Sequence, residues 1–138
     1  MNAPLYTIDI LRLAASLPEP QQLDRVDGEG SERSPTCGSR VSAQIRLDAG
    51  GRVAALSQRV EACAFGQASA ALVEAHAIGR SLDEVEDGER QVRAWLAGGA
   101  APEWPGFEAL APARPKTGRH GAILLPLRAL AAAMKAAR

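Results

Sequence analysis

One stretch of the sequence, residues 41–60, constrains the fold most strongly, because it predicts two strands joined by a tight turn. Apolar side chains occupy alternate positions in its first half, namely Val41, Ala43, Ile45 and Leu47. A period of two is typical of a strand that buries one face. Residues 48–51, Asp-Ala-Gly-Gly, predict a turn, and Val53–Val60 predicts the returning strand. The pattern therefore predicts a hairpin within a small antiparallel sheet.

Helical patterns account for most of the remaining chain. Helices are predicted over Leu5–Leu17, Gln67–Ile78, Ser81–Trp95 and His120–Ala137, and a short helical segment over Phe107–Leu110. Ser81 and Glu84 form the sequence of a capping box, and a break is expected near Gly88. Pro126 should kink the last helix or delay its start.

The segments between these helices are less regular. Residues 21–35 are polar and predict either an edge strand or a loop. Residues 98–105 are rich in Gly, Pro and Ala and predict a linker.

Length and charge narrow the classes of function. A chain of 138 residues suits a single domain, residues 1–138. A formal net charge of zero gives no support for a nucleic-acid or anionic-membrane surface. The sequence has no stretch of roughly 20 apolar residues and no secretory leader, so we expect a cytoplasmic protein without a membrane partner. Phosphate-loop and catalytic-triad patterns are also missing from the sequence, and we expect no enzyme activity.

Two cysteines, Cys37 and Cys63, carry the chemistry. In a reducing compartment they are better read as free thiols or metal ligands than as a disulfide. Cys37 precedes the first hairpin strand and Cys63 follows the second, 26 positions later. A hairpin brings its two ends together, so the two sulfurs should be neighbours. Cys63 also starts a helix, whose N-terminus stabilises a thiolate. The alternative is that each is an inert buried cysteine.

Four segments in order resemble the NifU/IscU-type iron–sulfur cluster scaffolds. Residues 37–40, Cys-Gly-Ser-Arg, are similar to the family's Cys-Gly-Asp motif, and residues 63–72 resemble its second cysteine with a small-residue helix. Residues 79–84, Gly-Arg-Ser-Leu-Asp-Glu, resemble a Gly-Lys-Ser-Leu-Asp-Glu segment. Residues 119–126, Arg-His-Gly-Ala-Ile-Leu-Leu-Pro, resemble the segment that carries the third cysteine. The long connection from residue 93 to 117 is more similar to the Suf-type branch.

The resemblance implies an α+β fold, with a small antiparallel sheet of about three strands and helices packed on one face. It also implies a [2Fe–2S] cluster or zinc ion held by three cysteines and an Asp or His, and partners that include a cysteine desulfurase and other cluster-assembly proteins. Two positions depart from the family pattern. Ser39 replaces the aspartate. Gly121, or a position reached by a small alignment shift within residues 118–122, stands where the third cysteine is expected.

The candidate ligands are therefore Cys37, Cys63 and His120. Two thiolates and an imidazole suit zinc or iron. Three alternatives are left open: a labile cluster, a cluster shared between the two chains of a homodimer, and an isolated protein without metal. The alternative for His120 is an ordinary solvated residue at the start of a helix. His76 and the carboxylates Asp27, Glu29 and Glu32 are better explained as surface or packing residues.

Three hypotheses of function follow. The first is a scaffold-like protein of iron–sulfur assembly that binds iron, zinc or a labile cluster through Cys37 and Cys63. The second is a metal-free relative that acts as a binding module for the assembly machinery. The third is an acceptor of persulfide sulfur through the Cys63 thiolate. The sequence alone leaves the choice open.

Overall fold

A computed structural model describes residues 6–35 and 38–137. The elements, in chain order, are α1 (Ile8–Ala15), β1 (Gly28–Arg33), β2 (Arg40–Leu47), β3 (Val53–Glu61), α2 (Ala64–His76), α3 (Leu82–Leu96), two 3₁₀ segments (Phe107–Ala113 and Thr117–Arg119) and α4 (His120–Ala136). Among the described residues, no helix is long and apolar enough to cross a membrane.

The three strands form one antiparallel sheet in the order β1-β2-β3. Val41, Ala43 and Ile45 of β2 are buried, while the residues between them are partly exposed, so the alternation in the sequence marks the face covered by the helices. Helices α4 and α2 pack against this sheet. The predicted hairpin and the α+β class are confirmed. Residues 28–33, predicted as either an edge strand or a loop, form an edge strand.

Backbone-to-backbone packing joins β1 to α4. A Cβ added at Gly28 would collide with the carbonyl oxygen of Ala133, and one added at Gly30 would lie 2.5 Å from the amide nitrogen of Ala133 and 2.8 Å from the carbonyl oxygen of Ala129. Glycine is needed here because only a residue without a Cβ lets the strand lie this close to the helix. This contact fixes α4, whose first residue is His120, against the sheet.

Helix α3 begins with the predicted capping box. The Glu84 amide donates to the Ser81 hydroxyl oxygen and the Ser81 amide to the Glu84 carboxylate, each at 3.2 Å. The predicted break near Gly88 is wrong, because the helix is continuous from Leu82 to Leu96. Gly88 is there to admit Trp104, whose ring would lie 3.0 Å from an added Cβ.

Residues 97–119, predicted in part as a linker, are packed against the helices through Trp104. Its ring is 2% exposed, its indole N–H donates to the Leu72 carbonyl at 2.9 Å, and the Arg80 guanidinium stacks 4.1 Å from the ring centre. Further along, Arg114 donates to the Trp95 carbonyl at 2.9 Å. A buried tryptophan with a bonded N–H is a strong anchor, so this connection has a defined path to the start of α4.

Helix starts and ends differ from the predictions by a few residues. Helix α1 is shorter than Leu5–Leu17: Thr7 caps it, accepting from the Ile10 amide at 3.2 Å, and Leu5 lies outside the described residues. Helix α2 begins at Ala64, three residues before the predicted Gln67. Helix α4 starts at His120, as predicted, and continues through Pro126, so the alternative in which Pro126 delays its start is wrong.

A buried glutamine holds α2 against β3. The Gln58 side chain is 2% exposed, and its amide nitrogen donates to the Ala70 carbonyl and to the Glu74 carboxylate, both at 3.0 Å. Burial raises the pKa of Glu74, and the hydrogen bond from Gln58 partly offsets that rise. The pair therefore sets the position of α2, whose N-terminus carries Cys63.

Candidate metal site at one end of the sheet

The paired ends of β2 and β3 define the candidate site. Arg40 lies directly opposite Glu61, so the chain before β2 and the chain after β3 leave the sheet at the same end. The β1–β2 turn at this end is tight: the Ser34 amide donates to the Ser39 carbonyl at 2.9 Å, and the Gly38 amide donates to the Ser34 carbonyl at 3.1 Å. Gly38 has a positive φ of 73°, a conformation that favours glycine. The glycine of the first motif is thus required by the backbone.

Cys37 lies outside the described residues, and the prediction that its sulfur neighbours that of Cys63 stays a prediction. The described register supports the premise of that prediction, since β2 and β3 are paired up to Arg40 and Glu61. Ser39, at the position that resembles the aspartate of the Cys-Gly-Asp motif, is buried.

Cys63 is the N-cap residue of α2. Its backbone is extended, with φ −67° and ψ 175°, and its side chain makes no capping hydrogen bond. The side chain is half-buried against the core. The first amide groups of a helix have no carbonyl partner within the helix and carry partial positive charge. The Cys63 side chain therefore lies at the positive end of α2 and makes no capping bond that a ligand would have to displace.

The start of α4 lies beside the start of α2. A Cβ on Gly66, three residues after Cys63, would lie 3.4 Å from both the Cβ and the carbonyl oxygen of Ala122. One turn later the Ser69 hydroxyl donates to the Ile123 carbonyl at 2.6 Å. Gly121 immediately precedes Ala122, so the position resembling the third cysteine is in the part of α4 that faces the first turn of α2.

His120 is half-buried, and one of its ring nitrogens is already engaged. Nε2 lies 3.0 Å from the Ala113 carbonyl oxygen and 2.9 Å from that of Arg114. Both partners can only accept, so Nε2 carries a proton and donates. The ring is thus not a solvated helix-start residue; it ties the end of the 3₁₀ segment Phe107–Ala113 to the start of α4.

None of the other residues considered from the sequence completes a metal-binding group with Cys63 and His120 among the described residues. Asp27 is bonded to Arg25 at 2.8 Å and accepts from the Leu47 amide at 2.7 Å, at the opposite end of β2. The Arg25 guanidinium, followed by that amide, lowers the pKa of Asp27. Glu29 accepts from the Gln44 side chain at 3.1 Å. The remaining two are Glu32, in a charged cleft beside α3 and α4, and His76, at the last residue of α2.

Across residues 6–35 and 38–137, no three His, Cys, Asp or Glu side chains are grouped closely enough to hold a metal ion. Of the three candidate ligands, Cys63 and His120 lie within the described residues. Sequence reasoning missed the packing of Tyr6 against Phe65, with ring centres 5.1 Å apart. It covers the first turn of α2, and no periodic signal around Tyr6 could have revealed it.

Comparison with known proteins places this architecture in a class. No family model matches the sequence, and no curated protein matches it. Among solved structures, the N-terminal part of a nitrogen-fixing NifU-like protein from Brucella abortus is 29% identical, with a TM-score of 0.87 over 95% of this chain and 92% of that chain. The chain therefore has the NifU/IscU-type fold, and the family resemblance seen in its sequence is confirmed.

Two further structures share the fold. One, described provisionally as an iron–sulfur cluster assembly scaffold for the SUF system of the thermophile Fervidobacterium islandicum AW-1, is 18% identical, with a TM-score of 0.81 over 94% of this chain and 96% of that chain. The other, described only as a hypothetical protein, is 21% identical, with a TM-score of 0.72 over 93% and 97% of the two chains.

Proposed function

We propose that this chain is a scaffold-like protein of iron–sulfur cluster assembly, which binds iron, zinc or a labile cluster through Cys37 and Cys63. The observation that carries the proposal is the likeness in fold, over 95% of the chain, to a NifU-like protein. Two thiolates at the end of a hairpin could serve any thiophilic metal, so it is the fold that favours iron–sulfur chemistry. Cysteine desulfurase and other assembly proteins are the partners this function requires.

The hydrogen bonding of His120 supports it as a third ligand. Because Nε2 donates to the Ala113 and Arg114 carbonyls, the lone pair of the neutral ring is on Nδ1. Metal-binding histidines commonly donate their other ring N–H to a carbonyl or carboxylate, which fixes the tautomer and the ring orientation. His120 would therefore bind a metal through Nδ1, with its ring already oriented.

The same ligand set limits how tightly a metal can be held. Relative to the family pattern, Gly121 removes one thiolate and Ser39 removes one carboxylate, so two negative charges are lost. Iron–sulfur clusters are normally held by four protein ligands, mostly thiolates. We therefore expect the isolated monomer to contain no metal or substoichiometric zinc. Two chains that contribute two cysteines each could share a cluster, and cluster content would then depend on dimerisation.

Anaerobic purification without a tag, followed by iron, sulfide and zinc assays and by light scattering, tests this proposal. After anaerobic reconstitution with iron and sulfide, or with zinc, metal or cluster that is lost in both Cys37→Ser and Cys63→Ser, but retained in His76→Gln, supports it. His76 is a matched control because it lies at the other end of α2. A monomer that carries a stoichiometric [2Fe–2S] cluster after loss of either cysteine would show that the ligand set is wrong.

Adding a thiol at position 121 tests whether a third thiolate increases the binding of iron. Gly121→Cys should raise the iron-to-protein ratio after anaerobic reconstitution, because it adds a thiolate beside the first turn of α2. Gly50→Cys is the matched control, since it adds a thiol in the β2–β3 turn at the far end of the sheet, where the new Cβ would meet only the Asp48 carboxylate, at 3.4 Å. An equal ratio in the two variants would contradict the alignment of Gly121 with the third cysteine.

The persulfide hypothesis is favoured by one observation, the Cys63 side chain that makes no capping hydrogen bond at the start of α2. In that case Cys63 would accept sulfur from a desulfurase without binding metal. Mass spectrometry after incubation with a desulfurase and free cysteine separates the two functions: an added sulfur on Cys63 in protein that binds no zinc supports sulfur transfer alone.

A further inference from the structure

Three arginines lie together on the face of the sheet that the helices leave uncovered. Arg33 is directly opposite Arg40, and Arg59 is opposite Ser42, the next residue of β2 on the same face. The hydroxyl groups of Ser31 and Ser42, 2.8 Å apart, confirm that side chains two positions from Arg33 and Arg40 share this face. We call Arg33, Arg40 and Arg59 the arginine patch.

The arginine patch is not neutralised within the described part of the chain. All three side chains are exposed, and none forms an ion pair with a described residue. Two carboxylates lie on this face, Glu61 opposite Arg40 and Glu29 opposite Gln44. Neither forms an ion pair with the arginine patch, and Glu29 accepts from the Gln44 side chain. Like charges directly opposite each other on a sheet destabilise it. The Arg33–Arg40 pair is therefore a local cost to the fold that a bound anion would remove.

A polar cleft continues from the arginine patch along the same face. Its volume is about 480 Å³, and Arg59 is one of its lining residues. Its floor contains Ser42, Gln44 and Ser57, and Glu29 lines it at the end away from Arg33 and Arg40. Residues 20–22 form a wall, which is attached where the Gln21 backbone amide donates to the Ser57 hydroxyl at 2.8 Å. Hydroxyl and amide side chains can both donate to and accept from a peptide backbone.

We propose that this face binds an acidic, extended segment of a partner protein, with its carboxylates on the arginine patch and its backbone along the cleft. The chemistry favours protein over nucleic acid, because single-stranded nucleic acids are usually bound by aromatic side chains beside basic ones, and among the described residues that line the cleft none is aromatic. Arg33 and Arg40 flank the turn that precedes β2, so the partner would lie next to the cysteine end of the sheet.

NMR titration of the protein, treated with a chelator and held at low ionic strength, tests this proposal independently of any metal. The probes are the peptide (Glu-Ser)₄, its neutral analogue (Gln-Ser)₄ and a single-stranded oligouridylate. We expect (Glu-Ser)₄ to shift the amide signals of Ser31, Ser42 and Arg59, and to bind more tightly than the other two. Arg33→Gln and Arg59→Gln should each weaken binding roughly two- to fivefold, as expected for exposed ion pairs, whereas Arg33→Lys should retain most of it.

Arg12→Gln is the matched control, because Arg12 is an exposed arginine on α1 with no ion pair to a described residue. Thermal denaturation provides a second readout: Arg33→Gln should not lower Tm, since it removes the repulsion with Arg40. Equal weakening by Arg12→Gln, tighter binding of the oligouridylate, or no preference for (Glu-Ser)₄ over (Gln-Ser)₄ would each overturn the proposal.

Discussion

Gly30→Ala tests the close packing that fixes α4 over the sheet. The added Cβ would lie 2.5 Å from the Ala133 nitrogen and 2.8 Å from both the Ala129 oxygen and the Ala132 Cβ. An ordinary contact for a Cβ begins at 3.4 Å, so the shortest of these distances is about 0.9 Å too small. Two of the three neighbours are backbone atoms, which cannot rotate away. Relief therefore requires α4 to move away from β1.

The expected cost follows from this geometry. Overpacking a core typically costs about 1–3 kcal/mol, and rigid backbone neighbours place Gly30→Ala at the upper end. The smaller conformational freedom of the unfolded alanine chain offsets about 0.4–1 kcal/mol. The net loss in free energy of unfolding should be about 2 kcal/mol. For a chain of 138 residues this corresponds to a fall in Tm of roughly 6–8 °C.

Urea and thermal denaturation followed by far-UV circular dichroism measure this loss. Gly50→Ala is the matched control: Gly50 lies in the β2–β3 turn without a positive φ, and its added Cβ would meet only the Asp48 carboxylate, at 3.4 Å. It should leave Tm unchanged or slightly raised. If Gly30→Ala unfolds within 1 °C of the wild-type protein, β1 and α4 are not in backbone contact and the reasoning is refuted.

Three further predictions concern the helices around the site. Gly66→Ala should lower the free energy of unfolding by about 1 kcal/mol, because its Cβ would lie 2.6 Å from that of Ala62. Adding Ala62→Gly should restore most of this loss, and a double-mutant cycle that shows no coupling would contradict the contact. Trp104→Ala should cost about 3–5 kcal/mol in urea denaturation, because it removes a buried ring and the indole donor to Leu72, and a loss below 1 kcal/mol would be inconsistent with a buried anchor. Burial raises the pKa of Glu74 above 4.5, so the stability that its neutral form provides is present at low pH and is lost as the pH rises through the raised pKa. Glu74→Gln should remove this loss and be at least as stable as the wild type at pH 7. Thermal melts at several pH values that show the same fall in both proteins would refute this prediction.

Local patterns predicted the hairpin and the capping box correctly because their causes are local. The alternation from Val41 to Leu47 reflects one buried face of a strand, and Ser81 and Glu84 bond to each other within one turn. Such patterns are set by neighbours two to four positions apart. These local patterns therefore predict the same element in any fold that buries the same face of it.

The errors come from contacts between residues far apart in sequence. Gly88 predicted a break in α3, but it is there because Trp104 packs against it from 16 positions away. The Gly-, Pro- and Ala-rich composition of residues 98–105 predicted a linker, and composition cannot reveal that one tryptophan within it bonds to Leu72. Glycines needed for close approach and glycines that break helices are indistinguishable in a single sequence.

The candidate site was predictable only in part. The order of strands brings Cys63 to the end of the sheet that the hairpin argument required, and the start of α4 lies beside it. The hydrogen bonding of His120 to the Ala113 and Arg114 carbonyls was not predictable, because it depends on the path of the chain between the 3₁₀ segment Phe107–Ala113 and α4. The positive charge of the arginine patch was hidden by a net charge of zero over the whole chain.

Zinc titration in competition with a chromophoric chelator tests the central claim most directly. When zinc is added to saturation, the wild-type protein should bind one zinc ion per chain, although it is purified with less. Cys37→Ser and Cys63→Ser should each weaken binding at least tenfold, which corresponds to about 1.4 kcal/mol, and His120→Gln should weaken it less, while His76→Gln should match the wild type. Zinc affinity that is unchanged in Cys63→Ser would contradict the claim that this end of the sheet is a metal site.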